Sequence, residues 1–87
     1  MSLFQNKFPE LKNIPANALY WRAQAGMNRS DVKRKVGVDP SALRKLESGR
    51  MYNPSIATLL ALTMAYDCTL DDLVHRVPSE EELTQIR

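Results

Sequence analysis

The stretch that decides the fold is residues 29–50, RSDVKRKVGVDPSALRKLESGR. Asn28 precedes it as a helix N-cap, and Gly37 suits the left-handed position at the end of a short first helix. A second helix starts almost at once, because Asp39 is a strong N-cap candidate and Pro40 occupies the first helical position, where its missing N–H costs nothing. The pattern predicts two short helices separated by a turn of about three residues.

The second of these helices has two different faces. Leu43 and Leu46 are three residues apart and turn inward. The residues that face outward are Ser41, Arg44, Lys45 and Ser48. A helix that is anchored by its apolar side and presents hydrogen-bond donors on the other can enter the major groove of DNA, while the preceding helix crosses the phosphate backbone. The two helices therefore predict a helix-turn-helix motif.

The rest of the chain predicts more helices and no strand, because no alternation of apolar and polar residues is long enough for one. The other predicted helices are Pro15 to about Ala25, Ile56 to about Tyr66, a short segment with Leu70, Leu73 and Val74, and a last turn or two with Leu83 and Ile86. We expect residues 1–14 to form a short N-terminal extension, residues 15–76 a compact five-helix domain, and residues 77–87 a C-terminal helical tail. The predicted fold class is all-α.

The charge is distributed unevenly along the chain. Its net charge is only +2, but residues 20–50 carry eight basic and three acidic side chains. Residues 51–87 carry two basic and six acidic ones. A localised basic surface is required for binding a polyanion, although solvation of two exposed helix faces would give the same count.

Length and composition argue against several other classes. Eighty-seven residues make one small domain. The single cysteine, Cys68, cannot form an intramolecular disulfide and no segment resembles a signal peptide, so we expect cytoplasmic localisation. No apolar run reaches the about 18 residues that a membrane span needs. One histidine and one cysteine cannot close a zinc site with the usual ligands, and no phosphate-binding glycine loop or activated nucleophile is present. We therefore expect neither a cofactor nor enzymatic activity.

From about Ala18 to Val74 the sequence resembles the Cro and phage-repressor helix-turn-helix family, also called the XRE family. Three stretches carry the resemblance: ALYWRAQAGMN at 18–28, VKRKVGVDPSALRKLESGR at 32–50 and NPSIATLLALTMAYDCTLDDL at 53–73. The resemblance implies a lambda-repressor-like DNA-binding domain of five helices, with double-stranded DNA as its partner.

The resemblance also implies roles for individual residues. It places four residues on the groove-facing side of the second, recognition helix as base contacts: Lys45, Arg44, Ser41 and Pro40. It places four more against DNA phosphates: Asn28, Arg29, Ser48 and Arg50. It pairs Arg22 with Glu47 as a structural ion pair between the first and third helices. It assigns to the core Trp21, Val36, Leu43, Leu46, Leu59, Leu62 and Leu73.

The sequence departs from the family pattern at three places on this surface. Arg29 replaces a glutamine and can still reach a phosphate. Lys33 replaces an alanine that packs against the recognition helix, so the lysine must extend toward solvent or push the two helices apart. Asp39 and Pro40 replace the usual polar residues, and an aspartate near the groove is repelled by phosphate unless it serves as a cap.

These observations lead to two hypotheses. The first is a sequence-specific DNA-binding regulator of transcription, a repressor acting as a homodimer, because two modules spaced by about 34–36 Å read two half-sites. The expected dimer surface is a C-terminal apolar patch, unless its residues seal the monomer core instead: Leu73, Val77, Leu83 and Ile86. The alternative is a protein-interaction module on the same fold, such as an antitoxin or regulatory subunit, with Lys33, Asp39 and Pro40 adapted to a protein partner.

Overall fold

The computed structural model describes residues 8–51 and 53–86, with side chains described as far as residue 84. A 3₁₀ helix, Pro9–Asn13, leads into six α-helices. Their bounds are α1 (Ile14–Gln24), α2 (Arg29–Val36), α3 (Pro40–Glu47), α4 (Ile56–Tyr66), α5 (Leu70–Val74) and α6 (Glu80–Ile86). The described ranges contain no strand, which confirms the all-α class with five helices and a helical tail.

The chain enters α1 without a break. Asn13 keeps a right-handed helical backbone (φ −83°, ψ −14°), so the 3₁₀ helix continues directly into α1. Ile14, which we assigned to the N-terminal extension, is the first residue of α1 and is buried, and Leu11 packs against the core. Part of the extension thus belongs to the folded domain, while its first seven residues lie outside the described residues.

Short polar side chains begin the helices where the sequence predicts them. At α2, the Asp31 N–H donates to Asn28 Oδ1 at 2.8 Å and the Asn28 N–H donates to Asp31 Oδ2 at 3.0 Å, which completes a reciprocal capping box. Asp39 caps α3 from an extended backbone, and Ser55 and Thr69 cap α4 and α5 in the same way. These caps satisfy first-turn N–H groups and fix the start of each helix.

The core is formed by apolar side chains from α1 to α5. Its buried members are Ile14, Ala18, Val32, Leu43, Leu46, Leu59, Leu62, Ala65, Tyr66 and Leu73. Two residues expected in the core, Trp21 and Val36, are only half-buried at its edge. The position of Trp21 has a physical reason, because its indole Nε1 donates to the carbonyl oxygen of Asp72 at 3.3 Å at the domain surface.

The C-terminal patch that we expected to form a dimer surface is largely absent as an exposed surface. Leu73 is fully buried because α5 packs against α1 and α4, so it seals the core, as the alternative and the resemblance both expected, and is not part of an exposed patch. Val77 is 81% exposed and Leu83 is half-buried. The side chain of Ile86 lies outside the described residues. Among the described side chains, Val77 and part of Leu83 are the members of the expected patch that remain exposed.

Candidate nucleic-acid interface

Helix α3 is fixed to the core by one face and exposes the opposite one. Leu43 and Leu46 are buried, as is the carboxylate-bearing side chain of Glu47. Arg44 and Lys45 lie between them in sequence and are exposed. Of the other expected contacts on this helix and its C-cap, Ser41 and Ser48 are exposed and Pro40 is half-buried. The structure thus brings the expected base-contacting residues to one surface.

The N-terminal end of α3 carries an exposed carboxylate with two partners. Asp39 Oδ2 accepts hydrogen bonds from the backbone N–H of Ser41 at 3.2 Å and from the Ser41 hydroxyl. Lys33 Nζ lies 3.6 Å from Asp39 Oδ1, and both side chains are more than half exposed. Hydrogen bonding to Ser41, followed by the Lys33 charge, holds the pKa of Asp39 below its usual value. Lys33 therefore extends toward solvent and pairs with the cap of the next helix.

A buried carboxylate joins the first three helices. Arg22 Nε and Nη2 donate to the two oxygens of Glu47 at 2.6 and 3.0 Å, while Arg22 Nη1 donates to the carbonyl oxygen of Met27. Arg29 Nε also donates to Glu47 Oε1 at 3.1 Å. The hydrogen bond to Glu47 raises the pKa of Arg22. Arg29, expected at a phosphate, therefore also belongs to the ion pair that holds α1, α2 and α3 together.

Pairing of the carboxylates determines where the excess positive charge lies. Within residues 20–50, all three carboxylates form ion pairs: Asp31 with Arg34, Asp39 with Lys33, and Glu47 with Arg22 and Arg29. Lys35 donates instead to the carbonyl oxygen of Ala65 at 3.3 Å. Arg44, Lys45 and Arg50 are exposed and pair with no other described side chain. Among the cations of this segment that pair with no described carboxylate, Arg44, Lys45 and Arg50 thus lie on α3 and the turn after it, and Lys35 lies on α2.

Two of the expected phosphate contacts use their polar side chains within the protein. The Asn28 side chain caps α2 through its oxygen, as described above, and the residue is exposed. The Ser48 hydroxyl donates to the carbonyl oxygen of Lys45 at 3.1 Å. Asn28 directly precedes α2, whereas Ser48 and Arg50 follow α3. All three residues are exposed.

The sequence reasoning missed a polar network that fastens α1 to the C-terminal helices. Asn17 is fully buried, and its Nδ2 donates to the carbonyl oxygens of Leu73 and Arg76, each at 2.8 Å. Arg76 Nη1 donates back to Asn17 Oδ1 at 3.0 Å, and its guanidinium lies 3.5 Å from the ring centroid of Tyr20. The sequence contains one indication of this network: Asn17 is a polar residue on the same helix face as the apolar residues Ile14 and Ala18.

Two further polar groups lie in the core and take no part in this surface. The hydroxyl of Tyr66 is buried without a hydrogen-bond partner among the described residues, and burial raises its pKa. Cys68 is half-buried against the core, and burial, with Asp72 and Asp67 nearby, raises the pKa of its thiol to about 11.

Fold and surface together define a class of protein, the DNA-binding domains in which a capped helix, a tight turn and an exposed second helix form a helix-turn-helix. The sequence model described as helix-turn-helix matches residues 20–73. Because this match covers more than half of the chain, the protein belongs to the Cro/C1-type helix-turn-helix family, the XRE family, and the lambda-repressor-like fold is confirmed. No curated protein and no solved structure matches the chain. None of the described helices has the length and apolarity to cross a membrane.

Proposed function

We propose that the protein is a sequence-specific DNA-binding transcriptional regulator, a repressor that acts as a homodimer in the cytoplasm. The observation that carries the proposal is the pair Arg44 and Lys45, which is exposed on a helix whose other face is buried and has no ion-pair partner among the described residues. Long cationic side chains held in this way are available to guanine O6 and N7 in the major groove.

The proposed contacts divide into two groups with different consequences. Lys45, Arg44, Ser41 and Pro40 lie toward bases, with Lys45 as the principal reader. Asn28, Arg29, Ser48 and Arg50 lie toward phosphates, where they fix the register of the domain without reading sequence. The N–H groups at the start of α2 add to the phosphate contacts.

A salt titration with random duplex DNA tests DNA binding itself. The affinity should fall steeply with salt, with a logarithmic slope of about −0.9 for each phosphate neutralised. Exposed cations on α3 are the physical reason, because their contact with DNA releases condensed counterions. Undetectable binding at low salt would contradict the proposal and favour a protein-interaction module such as an antitoxin or regulatory subunit.

Alanine variants at two positions test the division between base and phosphate contacts. Lys45→Ala should change the preference at one base pair by about 1–3 kcal/mol, measured on a set of duplexes recovered from a random pool. Arg50→Ala should weaken all sequences alike and reduce the salt slope by about one unit. Both side chains are exposed cations, so each is the matched control for the other. If both variants behave in the same way, the division is wrong.

A further inference from the structure

Asp39, at the start of α3, uses only one of its two carboxylate oxygens to cap the helix. Oδ2 accepts hydrogen bonds from the Ser41 N–H at 3.2 Å and from the Ser41 hydroxyl. Oδ1 is the oxygen nearer to Lys33 of α2, whose Nζ lies 3.6 Å away, beyond the length of a hydrogen bond. Oδ1 therefore keeps its capacity to accept a hydrogen bond, and Lys33 keeps its capacity to donate one.

The stability of the fold gives little reason for this pair. The side chains of Lys33 and Asp39 are 59% and 56% exposed, and an ion pair with this much contact to water stabilises a protein only slightly. The cap itself does not need Lys33, because Oδ2 alone accepts from the N–H of Ser41. The two bonds from Ser41 nevertheless hold the carboxylate in one orientation, so an acceptor is presented to solvent with a donor beside it.

The pair lies at the end of the surface that we propose to enter the major groove. Ser41, which holds the Asp39 carboxylate, precedes Arg44 by three residues and Lys45 by four, so these three residues share one side of α3. In a helix-turn-helix, the N-terminal part of the recognition helix contacts the base edges. Lys33 and Asp39 carry opposite charges, so together they attract phosphate less than a lone cation does. The pair is therefore better suited to bases than to the backbone.

We infer that Asp39 and Lys33 together read one C·G base pair: Asp39 Oδ1 accepts from N4 of the cytosine, and Lys33 Nζ donates to O6 or N7 of the paired guanine. The major-groove edge of a C·G pair offers a donor next to acceptors, which complements an acceptor next to a donor. An A·T pair also offers both, but adenine carries the acceptor N7 beside its N6 donor, and N7 would face the carboxylate. Cytosine has no acceptor there. The inference deepens the proposed function and rests on the entry of α3 into the major groove.

Selection of bound sequences from a random duplex pool, with the full chain and its variants, tests the inference. The wild-type site should contain a cytosine whose replacement weakens binding at least about fivefold. Asp39→Ser should abolish this preference and leave the other preferred positions unchanged, because serine still caps α3 but has no second oxygen. Lys33→Met should weaken the preference at the same base pair, since methionine has no donor.

Arg34→Met is the matched control, because it removes a cation and an exposed ion pair from the same helix. Any loss of affinity in this variant should be equal for all sequences, and the cytosine preference should remain. An unchanged preference in Asp39→Ser or Lys33→Met would overturn the inference, as would a lost preference in Arg34→Met. A wild-type site without a required cytosine would overturn it too.

A modified base tests the hydrogen bond directly. N4-methylcytosine still pairs with guanine, but its methyl group replaces the hydrogen that faces the major groove. At the preferred position it should weaken binding of the wild type at least about fivefold and leave binding of Asp39→Ser unchanged. An equal effect on both proteins would overturn the contact with Asp39. Absence of all duplex binding at low salt would contradict the proposed function itself, whereas selective binding without the cytosine preference would remove this inference alone.

Discussion

Asp39 carries a negative charge on the proposed DNA-binding surface and is therefore the residue there that is hardest to reconcile with DNA binding. It places a carboxylate at the end of α3 that would lie nearest to the groove, where phosphate repels it. Its partners offset that repulsion. The hydrogen bonds from Ser41 are the largest cause of the lowered pKa of Asp39, and Lys33 supplies a positive charge 3.6 Å away. The carboxylate is therefore ionised at neutral pH and partly compensated, and its role in the fold is that of a helix cap.

Replacing Asp39 by Asn should strengthen non-specific DNA binding. Asparagine is an equally good N-cap, so the fold should be kept, while one negative charge near phosphate is removed and Lys33 is released. We expect the affinity for random duplex at low salt to rise a few-fold, measured by fluorescence anisotropy.

The control for this variant is Asp71→Asn, which makes the same charge change on α5 in the acidic C-terminal part of the chain. It should alter the affinity by much less. An equal gain in both variants would show that only net charge matters and that Asp39 does not lie near the DNA.

At the scale of elements, the joint between α2 and α3 depends on one backbone conformation. Gly37 ends α2 with φ 80° and ψ 9°, in the left-handed region, and its N–H donates to the carbonyl oxygen of Lys33 at 2.8 Å. A β-carbon built at this position would meet no atom within 4 Å. Only the backbone conformation therefore disfavours another residue here.

Gly37→Ala should lower the free energy of unfolding by about 1 kcal/mol, because alanine is strained in the left-handed region. Gly37→Asn should cost about half as much, since asparagine tolerates that region better than alanine does. Urea denaturation followed by circular dichroism measures both values. Equal losses in the two variants would show that strain in the left-handed region is not the cause.

At the scale of the whole molecule, a polar network adds to the apolar packing that joins α1 to the C-terminal helices. Asn17 on α1 binds the backbone at Leu73 and Arg76, and Arg76 binds both oxygens of Glu82 at 2.7 and 2.8 Å. The network therefore holds α6 against the rest of the domain. The Arg76 hydrogen bond is the main reason that the pKa of Glu82 is below its ordinary value.

This lowered pKa predicts how stability depends on pH. A carboxylate that is easier to ionise in the folded chain stabilises it above its ordinary pKa of 4.5, and that contribution is lost as the pH falls through the folded value. Glu82→Gln should therefore lower stability at neutral pH by less than about 1 kcal/mol, because the pair is partly exposed to solvent.

Denaturation curves at neutral and strongly acidic pH measure this effect. The difference between wild type and Glu82→Gln should disappear as the pH falls well below 4.5, since the wild-type carboxyl is then also neutral. Glu81→Gln is the control, because Glu81 is exposed and forms no ion pair with the described residues. A difference that persists in acid would mean that the charge of Glu82 is not what stabilises the contact.

Local rules were sufficient for the helices and their caps, because a cap such as Asn28 and its partner Asp31 are only three residues apart. The resemblance supplied Arg22 and Glu47, which are distant in sequence. The bonds of Asn17 to Arg76 span 59 residues and could not be read from spacing. Leu73 was assigned to the core by the resemblance and also to the C-terminal patch, because the five residues of α5 are too few to show which side faces inward; the structure confirms the core assignment.

The exposed apolar side chains of α4, which are Ile56, Leu60 and Met64, could not be predicted from the sequence either. Helix α4 is apolar on nearly every side, so its sequence has no polar face that would mark the surface. Leu60 and Leu62 are alike in sequence, and only the packed structure distinguishes the half-exposed side chain from the buried one.

The reactivity of the half-buried thiol of Cys68 can be used to measure local unfolding of the protein. A pKa near 11 leaves on the order of a hundredth of the thiolate that an ordinary cysteine with pKa 9.0 would have at neutral pH. Alkylating reagents attack the thiolate, so the folded chain reacts slowly and the opened chain reacts fast. The rate of labelling therefore follows the population in which the end of α4 and the start of α5 have separated from the core, and no cysteine has to be introduced for the measurement.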